Sequence, residues 1–407
     1  MNVKLKILII LITITIPAFS QNANAPRNAG VPRNADVPWW LSLEYGKQRF
    51  RTGDYGDALI LFEDARRGRK AVFEQMEKDL ISLLSLSEVR RLGDHLDWVE
   101  RYAQERHYTA AYNALLELYY RVPKASLHNS AAAALSAIGK LKSFPEAEYW
   151  IGEIYRIEGE LPLALAQYRR TYEMRENLED SMFSVTLQYN MAEILRIRQE
   201  YNEMTRTLHA IISEHDNLWV NANRAETHRN TNAQTGRGAV PVPYEQAEAS
   251  FARSSMANIL KNNGINRLLE LYRYNNLTVE PAHRLLGFHY SATGLLSAQE
   301  HLMFAFVIQN TIIIEEIRRH QFDFTFTNLL SLVPEINRSG LLSAFVDEVE
   351  YYKTIYYFAA SLFKNNNAPV ARNLWEFLAS VPQAGEWQSR AQSQLRAPRL
   401  EQIITMP

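Results

Sequence analysis

Two segments of this chain place glycine, alanine and aromatic residues at one shared spacing. That spacing restricts the fold more than any other feature. In the first, Gly46 is followed by Gly53-Asp54-Tyr55 and then by Ala58, Phe62 and Ala65. In the second, Gly152 precedes Tyr155, Gly159, Ala164 and Tyr168. Small residues at these steps let two antiparallel helices approach closely, and the aromatic rings fill the space that remains. The central glycine tolerates the positive φ at which a helix stops.

From Trp39 onward the apolar periodicity is helical almost throughout. Helix pairs are expected over about 40–70, 92–123, 145–175 and 182–213, the second of them closing at Pro123. The run Gly152-Glu-Ile-Tyr-Arg-Ile157 returns as Ala192-Glu-Ile-Leu-Arg-Ile197, 40 residues later. Further pairs are expected over Pro281–Ile317 and Tyr356–Val381, with helical stretches at Asn328–Leu332 and Ser339–Tyr352 and a last helix at Trp387–Leu395. The alternating Gln321–Thr327 reads as an extended connector between helices.

This pattern resembles the tetratricopeptide repeat (TPR) family, whose members stack helix pairs into a solenoid. The resemblance implies an all-α fold, an irregular α-solenoid of TPR-like helical hairpins with intercalated extra helices. Ala58, Ala111 and Ala164 lie 53 residues apart, against about 34 for a bare repeat of this family. The surplus leaves room for one more helix each time, at Val72–Leu86 and at Ser130–Leu141.

The chain divides accordingly. Residues 1–20 read as a secretory signal peptide: Lys4 and Lys6 precede the apolar run Ile7–Pro17, and Ala18-Phe19-Ser20 offers small residues at a cleavage site. The run is shorter than the roughly 17–25 residues of a membrane span. Residues 21–38 form a Pro-rich tandem-repeat linker, 39–215 an N-terminal TPR-like solenoid, 216–244 a flexible loop, 245–395 a C-terminal TPR-like helical region, and 396–407 a tail. These features predict an exported protein, periplasmic or secreted after cleavage, with no membrane span in the mature chain. The absence of cysteine leaves neither a disulfide nor a site for a lipid anchor. A formal net charge of −1 argues against a nucleic-acid partner, which calls for a strongly basic face.

Motifs for chemistry are missing. There is no Gly-x4-Gly-Lys-Ser/Thr loop, no Gly-x-Ser-x-Gly elbow and no His-Glu-x2-His. Glu280-x2-His283 lacks the second motif that a carboxylate-bridged dimetal bundle requires. Ser361-x2-Lys364 lacks the companion motifs of serine acyl-transferases. The expectation is therefore a non-enzymatic protein with no metal and no cofactor.

In the TPR family the first helix of each pair lines a groove that holds a peptide or helix. By position, the resemblance assigns that role to Leu43, Lys47, Phe50 and Arg51, to Tyr149, Glu153 and Arg156, and to Tyr189, Glu193 and Arg196. Stacked rows of like side chains would then face a protein or peptide partner. Two other readings remain open. One is a solute-binding accessory protein with an aromatic cavity built from Phe304, Phe306, Tyr351, Tyr352, Tyr356, Tyr357 and Trp375. The other is the helical part of a peptidoglycan-acting enzyme, which would need a buried catalytic Glu.

Overall fold

The computed structural model describes residues 37–84, 101, 137–178, 182–221 and 244–400. Among them every regular element is helical and none is a strand. Consecutive helices pair as α1 (Trp39–Arg51) with α2 (Tyr55–Leu84), α3 (Pro145–Ile157) with α4 (Leu161–Glu173), and α5 (Met182–Ile197) with α6 (Tyr201–His215). After α7 (Tyr244–Leu271), α8 (Glu280–Ala292) pairs with α9 (Ala298–His320). The short α10 (Val333–Arg338) and α11 (Gly340–Glu348) lead to a last pair, α12 (Tyr351–Lys364) with α13 (Ala368–Ser380), on which α14 (Glu386–Arg396) packs.

Among the described residues, five turns within pairs are built alike. One residue at positive φ ends the first helix: Gly53 (83°), Gly159 (82°), Gln199 (61°), Gly294 (75°) and Asn366 (60°). The next residue then sends its N–H back five positions, Asp54 to Arg49, Glu160 to Tyr155, Glu200 to Leu195, Leu295 to Tyr290 and Asn367 to Leu362, at 2.8–3.0 Å. This left-handed stop satisfies carbonyls that a helix end leaves open.

The turn sets the register of both helices. Seven residues before each stop stands a buried small residue: Gly46, Gly152, Ala192, Gly287 and Ala359. Nine residues after it stands a buried large one: Phe62, Tyr168, Leu208 and Trp375. The pair α8–α9 is one residue shorter on the second side, with Leu302 eight after Gly294. The small and large positions meet. A Cβ on Gly46 would lie 2.5 Å from the Phe62 ring, one on Gly152 2.7 Å from the Tyr168 ring, and one on Gly287 2.5 Å from Leu302 Cγ.

Each pair also packs on the next: α2 on α3, α4 on α5, α6 on α8, and α9 on α12. Leu43, Ala58, Phe62, Ala147 and Ile151 form a core at the N-terminal end. A larger core runs from Tyr149 to Ala391. Trp150 and Tyr155 pack against both.

Several boundaries differ from those expected. The segment Val72–Leu86 does not start a new helix, because α2 continues unbroken to Leu84. Arg69, one turn before this segment, lies over the touching rings of Trp39 and Phe144 and donates to the Leu141 carbonyl at 2.9 Å. The expected stretch Ser339–Tyr352 is broken at Glu350 (φ 47°) into α11 and α12. Asp216, expected to open the loop over 216–244, is buried and accepts from the Trp219 N–H at 2.9 Å, capping a helical turn over 217–221. The two halves of α7 meet at Gly264 (φ 81°). The signal peptide over 1–20, nearly all of the linker over 21–38, all but one residue of the pair over 92–123, most of Ser130–Leu141, residues 222–243 of the loop and the tail beyond 400 lie outside the described residues.

If the close approach at the small positions holds the pairs together, Gly287→Ala is expected to cost about 1–3 kcal/mol through overpacking against Leu302. Gly340→Ala, where a Cβ meets open space, should change stability by less than about 0.5 kcal/mol. Urea unfolding of the two variants measures the difference.

Candidate functional site

The residues assigned to a binding groove separate into two groups. Lys47 is half-buried on α1 and pairs with Glu44 at 2.7 Å, while Arg51 is exposed at the helix end. Arg156 stands at the end of α3 with about a third of its side chain exposed. On α5, Arg196 grips Glu193 through Nε and Nη2, both at 2.9 Å. These five reach solvent.

Leu43, Tyr149 and Glu153 do not, and Tyr189, half-buried like Lys47, has its hydroxyl committed to backbone groups, which corrects the expected rows. Tyr149 is buried between Tyr168 and Phe183, and burial, with Glu153 beside it, pushes its hydroxyl far above the ordinary range. Glu153 is buried too. It accepts from the Tyr168 hydroxyl, from Asn190 Nδ2 at 3.0 Å and from Arg156 Nη2 at 2.7 Å. Tyr189 donates to the Thr278 carbonyl at 2.7 Å and accepts from the Ala282 N–H at 3.2 Å. The physical reason is position. These side chains point along the array toward the next first helix and latch α3 to α5 and α5 to α8. Glu193, at the position matching Glu153, keeps about half its side chain exposed, against 7% for Glu153.

A second polar group surrounds Glu280 at the start of α8. Its Oε1 accepts from Arg284 Nε at 3.0 Å and from Gln309 Nε2 at 2.6 Å, and Arg284 also reaches Glu350 at 2.6 Å. Burial raises the Glu280 carboxyl above its usual range, against the pull of Arg284. A buried Glu of this kind is what a peptidoglycan-acting site would need, but here the carboxylate is bound to a guanidinium and an amide. His283 faces other partners, so the Glu280-x2-His283 spacing does not form a ligand pair.

Those partners form a relay that has no sequence signature. Asp216 Oδ2 lies 3.0 Å from His283 Nε2, and His283 Nδ1 lies 3.0 Å from His301 Nδ1. Asp216 Oδ1 accepts from the Tyr274 hydroxyl at 2.6 Å. Trp219 stacks on His301 with ring centroids 4.6 Å apart, and His209 binds the Tyr290 hydroxyl at 2.7 Å. His283 and Asp216 are fully buried and His301 nearly so. The sequence gaps, 67 residues from Asp216 to His283 and 18 from there to His301, leave no local motif to find.

The seven aromatics proposed for a solute cavity are all buried and packed into the large core. A cleft of about 360 Å³ lies between the α8–α9 turn and the end of α12, lined in part by Tyr357, Ser361 and Lys364. Ser361 donates to the Phe358 carbonyl, and Lys364 to the Gly294 carbonyl at 2.5 Å. The Ser361-x2-Lys364 pair is thus committed to the backbone.

No protein-family model matches the chain. It is similar to an uncharacterized protein of Treponema pallidum (strain Nichols), 22% identical over 357 residues, covering 87% of this chain and 88% of that protein. It is also similar to an uncharacterized protein of Borreliella burgdorferi, 21% identical over 263 residues, covering 62% of this chain and 78% of the other.

The contrast between the matching glutamates is testable. Glu153→Ala leaves buried donors without an acceptor and is expected to cost about 1–3 kcal/mol. Glu193→Ala removes a largely exposed pair worth about 0.5 kcal/mol or less. Equal losses in denaturant midpoint would contradict the division into latch and surface residues.

Proposed function

We propose that this chain is an exported TPR-like solenoid that serves as a non-enzymatic scaffold for a protein or peptide partner. The observation that carries the reading is the fivefold recurrence of one helix stop with a small residue seven positions before it. Repeated hairpins in one register present their first helices side by side, and such arrays work by surface shape. The positions that reach solvent on those helices are Lys47, Arg51, Arg156, Glu193 and Arg196. They are the binding positions in this reading, while Tyr149, Glu153 and Tyr189 hold the helices at fixed spacing beneath them.

Two further points support the reading. Among the described residues no helix is long and apolar enough to cross a membrane. The similarity to the Treponema protein runs over most of both chains, as it would for an array kept as one unit rather than a detached repeat. Export rests on the N-terminal segment, through Lys4, Lys6 and the apolar run to Pro17.

Photo-crosslinking amino acids at Arg51, Arg156 and Arg196, with controls at Ile60 and Leu163 on second helices, test the proposal in the cell of origin. A discrete adduct is expected from the first-helix positions and not from the controls, and charge reversal at Arg156 and Arg196 is expected to remove it. Equal capture from both sets, or from neither, overturns the assignment of the binding face.

A further inference from the structure

We propose that the His283–His301 pair is a proton-binding site that controls the joint between α6 and the α8–α9 hairpin. The argument starts from hydrogen counting. The two Nδ1 atoms face each other at 3.0 Å, so one hydrogen fits between them and two do not. Asp216 Oδ2 accepts from His283 Nε2 at 3.0 Å, which places a hydrogen on that nitrogen. In the uncharged pair, His301 Nδ1 therefore donates and His283 Nδ1 accepts.

A first proton is accommodated without movement. It binds His301 Nε2, the hydrogen on His301 Nδ1 passes to His283 Nδ1, and the charge comes to rest on His283 against the Asp216 carboxylate. A second proton cannot be placed this way. Both Nδ1 atoms would carry hydrogen and point at each other, and two like charges would share the interior, so the rings must part.

The surroundings oppose that second charge. From α6, the His209 ring lies 5.5 Å from His301 and is bonded to Tyr290 of α8. From α7, Arg253 covers Trp219 at 4.5 Å and is ion-paired with Glu300 of α9. Tyr274, in the connector before α8, donates to the other oxygen of Asp216. Burial, then His283, His209 and Arg253, hold the proton affinity of His301 well below that of a free imidazole.

The sign of the effect follows. The unfolded His301 imidazole binds a proton near pH 6.5, and in the folded chain its burial and neighbours resist that proton. The stability that rests on an uncharged His301 is therefore complete above about pH 6.5 and is lost as the pH falls below it. Burial shifts His209 and His289 in the same direction. The mechanical consequence is local, because Asp216 caps the turn that carries Trp219, and Trp219 is wedged against His301, His283 and Phe304. Parting the rings releases the end of α6 from α8 and α9.

His301→Asn isolates the site, since the Asn amide can replace the Nδ1–H donor but takes no proton. Hydrogen exchange of the full chain, corrected for intrinsic rates, is compared at about pH 7.5 and about pH 5. The wild type is expected to lose protection over 208–221 and 283–301 at the lower pH, by roughly tenfold or more, while His301→Asn keeps most of it. Unchanged protection in the wild type, or equal loss in the variant, overturns the proposal. If the variant fails to fold, nitrogen-15 imidazole spectra of the wild type decide the matter. Hydrogen on His283 Nε2 and His301 Nδ1 at about pH 7.5 supports the site, and the opposite tautomers refute it.

Discussion

The helices of this protein meet where a Cβ is missing or is a single methyl. At Gly46, Gly152 and Gly287 a partner side chain lies closer than any ordinary Cβ contact allows, so the two backbones can come together only with glycine there. The large residue opposite, Phe62, Tyr168 or Leu302, is then fully enclosed, a burial worth about 1.5–3 kcal/mol for such side chains. Because the small residue stands seven positions before the helix stop, one local turn fixes which residues of both helices face each other. The pairing of helices and the direction of their outer faces descend from that contact.

Between the pairs a different chemistry takes over. Arg66 reaches Glu148 across α2 and α3, Glu153 takes Asn190 across α3 and α5, Tyr189 clips the backbone before and within α8, Asp216 holds His283, and Arg284 reaches Glu350 at the head of α12. Apolar faces alone would let neighbouring pairs slide by a turn. A buried polar group that loses its partner costs about 1–3 kcal/mol, so each of these contacts penalises a slipped register. Adhesion is largely apolar both within and between pairs, and the polar contacts between pairs add alignment.

This division explains what could be read from the chain alone. The turns at Gly53, Gly159 and Gly294 are legible because glycine marks positive φ, and the pairs around the last two fall within a few residues of their expected bounds, while the first runs on to Leu84. The stop at Gln199 carries no glycine and was visible only through the similarity of 192–197 to 152–157. The all-helical class followed from periodicity. The fate of Tyr149, Glu153 and Tyr189 did not, because spacing tells which face a polar residue is on and not whether a neighbouring helix covers that face. The histidine relay is the extreme case, since its members are brought together only when α6, α8 and α9 are already in place.

The long helix α9 is buried on every side from His301 to Thr311, as a helix lying inside a protein must be. The earlier second helices α2, α4 and α6 each keep an exposed flank. The array is therefore not freely modular. A break before α8 would part α6 from α8 and also α7 from α9 and α13, and a break after His320 would strip the cover from a helix that is enclosed all round. Fragments of this protein that keep α9 therefore have to keep α7, α8 and α12 around it.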